Sequence, residues 1–341
     1  MSKQLDASQT IERFGVSRTL WRVGVICSFA LLACVGGCLS LVNGSTDIPL
    51  KEIMGILAAP GTDPNSMIIW NIRLPRTIVA ALVGINLALS GAILQAILRN
   101  PLADPHLIGI SSGAGVAGVV IMILYPSLEY LIAPVSFIGA MVAAVCIYIL
   151  AWKNGIKPVR IILAGVAVSA FLSAGISGLM IFYSDRVHGA LTWMVGGLAA
   201  RSWPHVSIIL PYAVIGVVLA LASAAYLNVL QLGDEMARGL GINIEVTRIV
   251  LTAIAALLAA SAVSVVGLLG FVGLVVPHAA RLLVGSDYRY LLPASAFLGI
   301  ATITMSDTFA RVVFAPIEIP VGIIMAFLGA PFFLFLLRRE I

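Results

Sequence analysis

Nine stretches of this chain run for 17 to 32 residues without one charged side chain: 23–42, 77–98, 105–128, 130–152, 161–184, 202–233, 249–280, 290–306 and 319–337. A helix crossing the hydrocarbon of a bilayer needs about 20 apolar residues, and a charge inside it is costly, so these intervals read as membrane spans. Only 10% of the 341 residues are charged and 61% are hydrophobic, whereas a soluble domain carries about a quarter charged residues. The interval 249–280 is too long for one span, because a helix of its 32 residues would reach about 48 Å against a hydrocarbon core of about 30 Å. It is expected to fold back at Gly267-Leu-Leu-Gly270-Phe-Val-Gly273, leaving a short segment that contains Pro277 and ends at Arg281. The interval 202–233 is equally long, but Trp203-Pro204 at its start and Asn228 and Gln231 near its end suggest one span with polar overhang. The expectation is an all-α polytopic membrane protein of about ten helices.

Ten spans put both termini on one side. With the N-terminus inside, the inside segments hold Lys3, Arg13, Arg18, Arg22, Arg99, Lys153, Lys157, Arg160, Arg238, Arg248, Arg281, Arg289, Arg338 and Arg339. The outside segments hold Lys51, Arg73, Arg76, Arg186, Arg201 and Arg311. The excess of inside cations predicts that both termini are cytoplasmic. The net charge of +5 is then membrane topology, and no nucleic-acid partner is expected. Residues 1–18 are polar and lack the apolar core and small-residue cleavage site of a secretory signal, so they read as a cytoplasmic N-terminal segment before one membrane domain over 19–338. Cys27, Cys34, Cys38 and Cys146 all fall within spans and are expected to be buried small hydrophobes, without disulfide or metal.

The catalytic inventory is mostly negative. No G-x-x-x-x-G-K-[ST] loop is present, so the chain is not expected to cradle a nucleotide phosphate. His106, His188, His205 and His278 never fall at metal-ligand spacing. Paired intramembrane carboxylates, which ion-coupled carriers use, are missing too. Asp307 stands close to a span, and Arg311 four residues on allows a local ion pair. Gly165, Ser169, Ser173 and Ser177 form a ladder of small side chains on one helix face, which suits close helix packing or the lining of a path. Gly109, Gly113, Gly115 and Gly118 suit packing. Tyr183, His188, Trp193 and Trp203 fall outside, where aromatic anchoring at the membrane interface is the commoner role.

Three segments are more specific: Arg73-Leu-Pro-Arg76 on the outside, Arg99-Asn100-Pro101-Leu102-Ala103-Asp104-Pro105-His106-Leu-Ile-Gly109 in an inside turn stiffened by two prolines, and Leu232-Gly-Asp234-Glu235-Met-Ala-Arg238-Gly-Leu-Gly241 on the inside. The last has acids at its start and glycines at its end, as a short surface helix would. Together with Gly270-Phe-Val-Gly-Leu-Val-Val-Pro277-His278-Ala-Ala-Arg281 and Glu318-Ile-Pro320-Val-Gly322 followed by Leu328-Gly-Ala-Pro331, they resemble the permease subunits of ABC importers for iron-siderophore, haem and cobalamin. The resemblance runs from about residue 20 to the C-terminus.

The resemblance implies a type II ABC importer permease fold in a bacterial cytoplasmic membrane. It implies a second permease subunit, two ATPase subunits that use ATP and magnesium on the inside, and an extracytoplasmic substrate-binding protein. No cofactor is expected on this chain. By similarity, a coupling segment spans about 230–243, with Gly233, Asp234, Glu235, Ala237, Arg238, Gly239 and Gly241 meeting the ATPase. Arg73, Arg76 and Arg311 match an outer rim that docks the binding protein. Asn100, Leu102, Pro158 and Val159 fall at the family's cytoplasmic gates, and Gly165, Ser169, Ser173 and Ser177 on a helix that lines the path. Pro158 and Val159 depart from the small hydroxyl residues of the cobalamin permease. Ferric siderophore is the first cargo expected, then haem, then cobalamin. An ion-coupled transporter is the rival on topology alone, and permeases for bare metal ions fit the quoted motifs less well.

Overall fold

A computed structural model describes residues 2–44, 46, 48–59, 61–106, 109–153, 158–313 and 315–340, with the side chains of 2–17, 336, 337, 339 and 340 left aside. Lys157 and the side chains of Lys3, Arg13 and Arg339, which were counted for orientation, fall outside this description. The described chain is helical: α1 Ser2–Val42, α2 Leu50–Ala58, α3 Pro64–Ile68, α4 Leu74–Leu98, α5 Ile110–Leu124, α6 Ile132–Ala151, α7 Pro158–Phe182 and α8 Val187–Val195. There follow α9 Trp203–Ala222, α10 Ala224–Gln231, α11 Asp234–Gly239, α12 Ile244–Val266, α13 Val272–Val284, α14 Tyr288–Val312 and α15 Val321–Glu340.

Helices occupy every charge-free interval, yet among the described residues six are long and apolar enough to cross a membrane, and Ile110–Leu124, Val272–Val284 and Val321–Phe335 are shorter. The interval 249–280 folds back as its length demanded. α12 ends at Gly267 (φ +81), and α13 begins after Phe271. The interval 202–233 holds one candidate span, Trp203–Ala222, and a break at Ser223 sets its polar overhang apart as α10. The outside stretches also hold unforeseen helices α2, α3 and α8. Residues 64–98 form one rod, with Ile69–Arg73 wound as a π-helical turn that joins α3 to α4.

Burial separates centre from periphery. The apolar windows of the 64–98 rod and of α12 are 78% buried, whereas that of α7 is 17% buried. α4 sits in the middle, packed on α12, α13, α14 and α9, while α1 lies against α14 and the α5–α6–α7 group stands to one side. In a membrane the apolar effect does not drive helices together, so close backbone approach and polar contacts must. A Cβ placed on Gly84 of α4 would lie 2.2 Å from the carbonyl oxygen of Gly299 in α14. One placed on Gly91 would lie 1.9 Å from that of Gly273 in α13. Asn86 donates to Ser261 at 2.9 Å and Ser90 to the Ala255 carbonyl at 2.7 Å, tying α4 to α12.

The cysteines are corrected: all four are free and exposed, on helix faces that would meet lipid or a neighbouring chain. Gly113 and Gly118 do pack, the first against Gly139 and the second against Ser136 and Trp193.

Candidate functional site

A cavity of about 920 Å³ opens beside α15, with Val195, Leu268, Phe271, Leu274 and Phe327 among its walls. Three chain breaks meet there through glycines. A Cβ on Gly322, in the first turn of α15, would lie 1.8 Å from the Val195 carbonyl oxygen, and one on Gly267 would lie 2.0 Å from that of Trp193. Gly322 donates its N–H to Gly196 at 3.1 Å, and Gly197 to Val266 at 2.9 Å. The end of α8, the α12–α13 break and the start of α15 thus form one backbone junction that admits no side chains. Asp104 and His106 are the ionisable groups in the otherwise apolar wall. Asp104 is 4% exposed; its carboxylate accepts the N–H of His106 at 2.8 Å and lies against the first turn of α13, where a Cβ on Gly273 would be 2.9 Å from its Oδ2. A mainly apolar cavity of this size suits a bulky ligand held with few directional contacts.

The ladder on α7 does not line this cavity. Gly165 is buried and Ser169 half-buried against Gly109, where a Cβ would lie 2.8 Å from the Ser169 hydroxyl and 3.1 Å from the Gly165 carbonyl. Ser173 and Ser177 are exposed, so the ladder divides between packing and an open face. Asn100 caps its own turn, accepting the Leu102 N–H at 2.9 Å. Pro158 begins α7 and Val159 is exposed. None of these four expected gate residues reaches the cavity wall.

At the end of α4 that carries Arg99, α11 stands out from the bundle. Glu235, Met236, Arg238, Gly239 and Leu240 are exposed. Within the expected coupling set Ala237 is fully buried, and Asp234, half-buried, accepts from Arg248 at 3.0 Å and from Arg99. Gly233 (φ +106) and Gly241 (φ +79) set the turns on either side, in backbone conformations that favour glycine. Sequence reasoning missed Leu232, Met236 and Leu240, which are 57%, 61% and 59% exposed. Met236 lies on α11 itself, whereas Leu232 precedes the turn at Gly233 and Leu240 caps the helix end, so exposed apolar side chains flank the charged residues of α11.

At the opposite end the three arginines expected on an outer rim are buried in this chain. Arg73, Arg76 and Arg311 are 3%, 7% and 8% exposed. Arg73 donates to the carbonyls of Leu41 and Val42, both at 2.8 Å, and so caps the last turn of α1 with positive charge. Arg76 meets Asp307 with two parallel hydrogen bonds of 3.0 and 2.9 Å and Glu318 at 2.8 Å. Arg311 forms the expected pair with Asp307 at 3.2 Å and reaches back to the Asn43 carbonyl at 3.0 Å. A buried guanidinium must be paired and hydrogen-bonded or it costs several kcal/mol, so these groups serve as struts joining α1, α4 and α14. Glu318 remains 45% exposed at the edge of the cluster. Among the four aromatic candidates, Tyr183 and His188 are exposed. Trp193 is buried against Gly118 and Gly267, and Trp203 stacks on Trp70 with ring centroids 6.2 Å apart.

Known proteins share this architecture and sequence. The cobalamin import system permease protein BtuC of Halobacterium salinarum is 46% identical over 278 residues, covering 81% of this chain and 74% of that protein. The Fe(3+)-citrate import system permease protein YfmE of Bacillus subtilis is 42% identical over 274 residues, covering 80% and 82%. A metal-chelate type ABC transporter solved in an inward-facing conformation superposes with a TM-score of 0.82 at 28% identity, covering 93% of this chain and 99% of that one. With residues 31–339 matching the family model, the chain belongs to the FecCD transport family.

Proposed function

We propose that this chain is the membrane permease subunit of a binding-protein-dependent ABC importer that carries a metal chelate inward, an iron chelate such as a ferric siderophore first, then haem, then the cobalt chelate cobalamin. The observation that carries the reading is α11, a short helix at one end of the bundle that displays Glu235, Met236 and Arg238 between exposed Leu232 and Leu240, in a sequence with no phosphate loop. Such a helix fits a groove on an ATPase partner, which supplies ATP and magnesium. The cavity beside α15 is the cargo's passage, completed by a second permease copy or paralogue. Asn100, Leu102, Pro158 and Val159, which stand off the cavity wall, serve as a cytoplasmic gate that opens to release cargo inward. The binding protein docks at the end that holds the arginine struts, which keep that surface in shape, with Glu318 at its edge. The relatives named for cobalamin and Fe(3+)-citrate import support a chelate-sized cargo.

The test reconstitutes the permease with its ATPase and binding protein in proteoliposomes and presents ferric siderophores, ferric citrate, haem and cobalamin in turn. ATP-driven uptake of one of them is expected, and Glu235→Ala with Arg238→Ala should abolish the stimulation of ATP hydrolysis by loaded binding protein. Uptake driven by an ion gradient without ATP would sink the proposal.

A further inference from the structure

Arg99 ends α4 in the left-handed conformation, φ 48 and ψ 39. Glycine is the usual residue at such a helix end, because a Cβ there is sterically penalised. What the arginine side chain reaches accounts for its presence. Its Nε donates to the Leu230 carbonyl at 3.1 Å, and its Nη2 binds Asp234, the first residue of α11. The same carboxylate takes Arg248 of α12 at 3.0 Å, so one acid fastens α11 to both the end of α4 and the bundle.

The chain that leaves Arg99 is stiff. Pro101 and Pro105 limit its torsions, and the Asn100 side chain locks the Leu102 N–H at 2.9 Å. It ends on Asp104, whose carboxylate packs against the first turn of α13 at the cavity wall, where a Cβ on Gly273 would lie 2.9 Å from its Oδ2. Beside it Phe271, also left-handed at φ 68, packs on α15, where a Cβ on Gly329 would lie 2.4 Å from its ring. Short contacts therefore run without a gap from α11 through Arg99, the two-proline turn and Asp104 to the α13 and α15 walls.

We infer that Arg99 is a positioning residue for transport: it carries displacement of α11 into the turn 100–106 and, through Asp104, into the cavity wall. This rests on the proposed coupling role of α11. A static contact chain transmits only if breaking it uncouples the two ends, so the decisive quantity is cargo moved per ATP.

The experiment uses the full complex in proteoliposomes, with whichever of ferric citrate, a ferric hydroxamate, haem or cobalamin the wild type transports. Arg99→Gly is the informative variant, because glycine suits the left-handed cap and the fold should not suffer. The ATPase is expected to stay attached and the unfolding temperature to hold, while ATP consumed per cargo rises at least fivefold. Asp234→Asn should do the same, and the double variant should be no worse than either single one, as for two groups on one path. Arg99→Lys should recover part of the coupling. Wild-type cargo per ATP in Arg99→Gly overturns the inference, and so does detachment of the ATPase, which would make Arg99 a docking residue instead. Glu235→Ala with Arg238→Ala runs in parallel: if it also leaves coupling intact, the role of α11 fails, whereas if it alone uncouples, only the Arg99 link fails.

Discussion

Replacing Asp307 by asparagine keeps the side chain's shape and removes the one charge that two buried guanidiniums share. Arg76, Arg311 and Asp307 have side chains 8%, 6% and 2% exposed. Removing one partner of a buried ion pair costs about 3–5 kcal/mol, because the remaining charge is left without compensation. Glu318, 2.8 Å from Arg76, keeps part of that compensation, so the expected loss lies near the lower figure, about 3 kcal/mol. That is roughly a hundredfold in the folding equilibrium and about 4 °C in Tm for a chain of this length. Glu318→Gln is the control, since a bridge to a 45% exposed carboxylate contributes only about 0–1 kcal/mol. The assay is thermal unfolding of the purified permease in lipid nanodiscs. Adding Arg76→Met to Asp307→Asn should restore part of the loss by removing the orphaned charge. Equal Tm shifts for Asp307→Asn and Glu318→Gln, or no recovery in the double variant, would refute the argument that burial makes this cluster a strut.

Gly84→Val should prevent assembly of α4 on α14, since even a Cβ at Gly84 meets the Gly299 carbonyl at 2.2 Å; low yield and early unfolding in detergent are the readout, and wild-type Tm would contradict the packing. Asp287 lies in the turn before α14, where the hydrogen bond from Arg289, helped by Asn228, holds its carboxyl down to about 2. A lowered folded-state value stabilises above the ordinary carboxyl range and is lost as pH falls. The Tm gap between wild type and Asp287→Asn should therefore be constant above about pH 5 and close as pH falls toward 2; a gap independent of pH would contradict it.

The lengths of the charge-free intervals determined by themselves where helices run and that 249–280 must fold back, because the cost of charge in hydrocarbon depends on the residue and not on its neighbours. The spacing of Asp307 and Arg311 likewise announced their pair. Interval length did not show the break at Ser223, nor helix α8, because a span and two shorter helices can share one composition. The site was legible in part. The segment Asp234–Arg238 read as a surface helix, but which of its residues face outward depends on how α11 is fastened, and Arg99 and Arg248 lie 135 and 14 residues away from Asp234 in sequence. The outer arginines show the limit most clearly. Arg at the end of a span reads as displayed, and only tertiary structure brought Asp307 of α14 and the last carbonyls of α1 within reach, which turned three charges inward. A hydrogen bond is satisfied at about 3 Å, and the chain alone does not specify which distant groups arrive there.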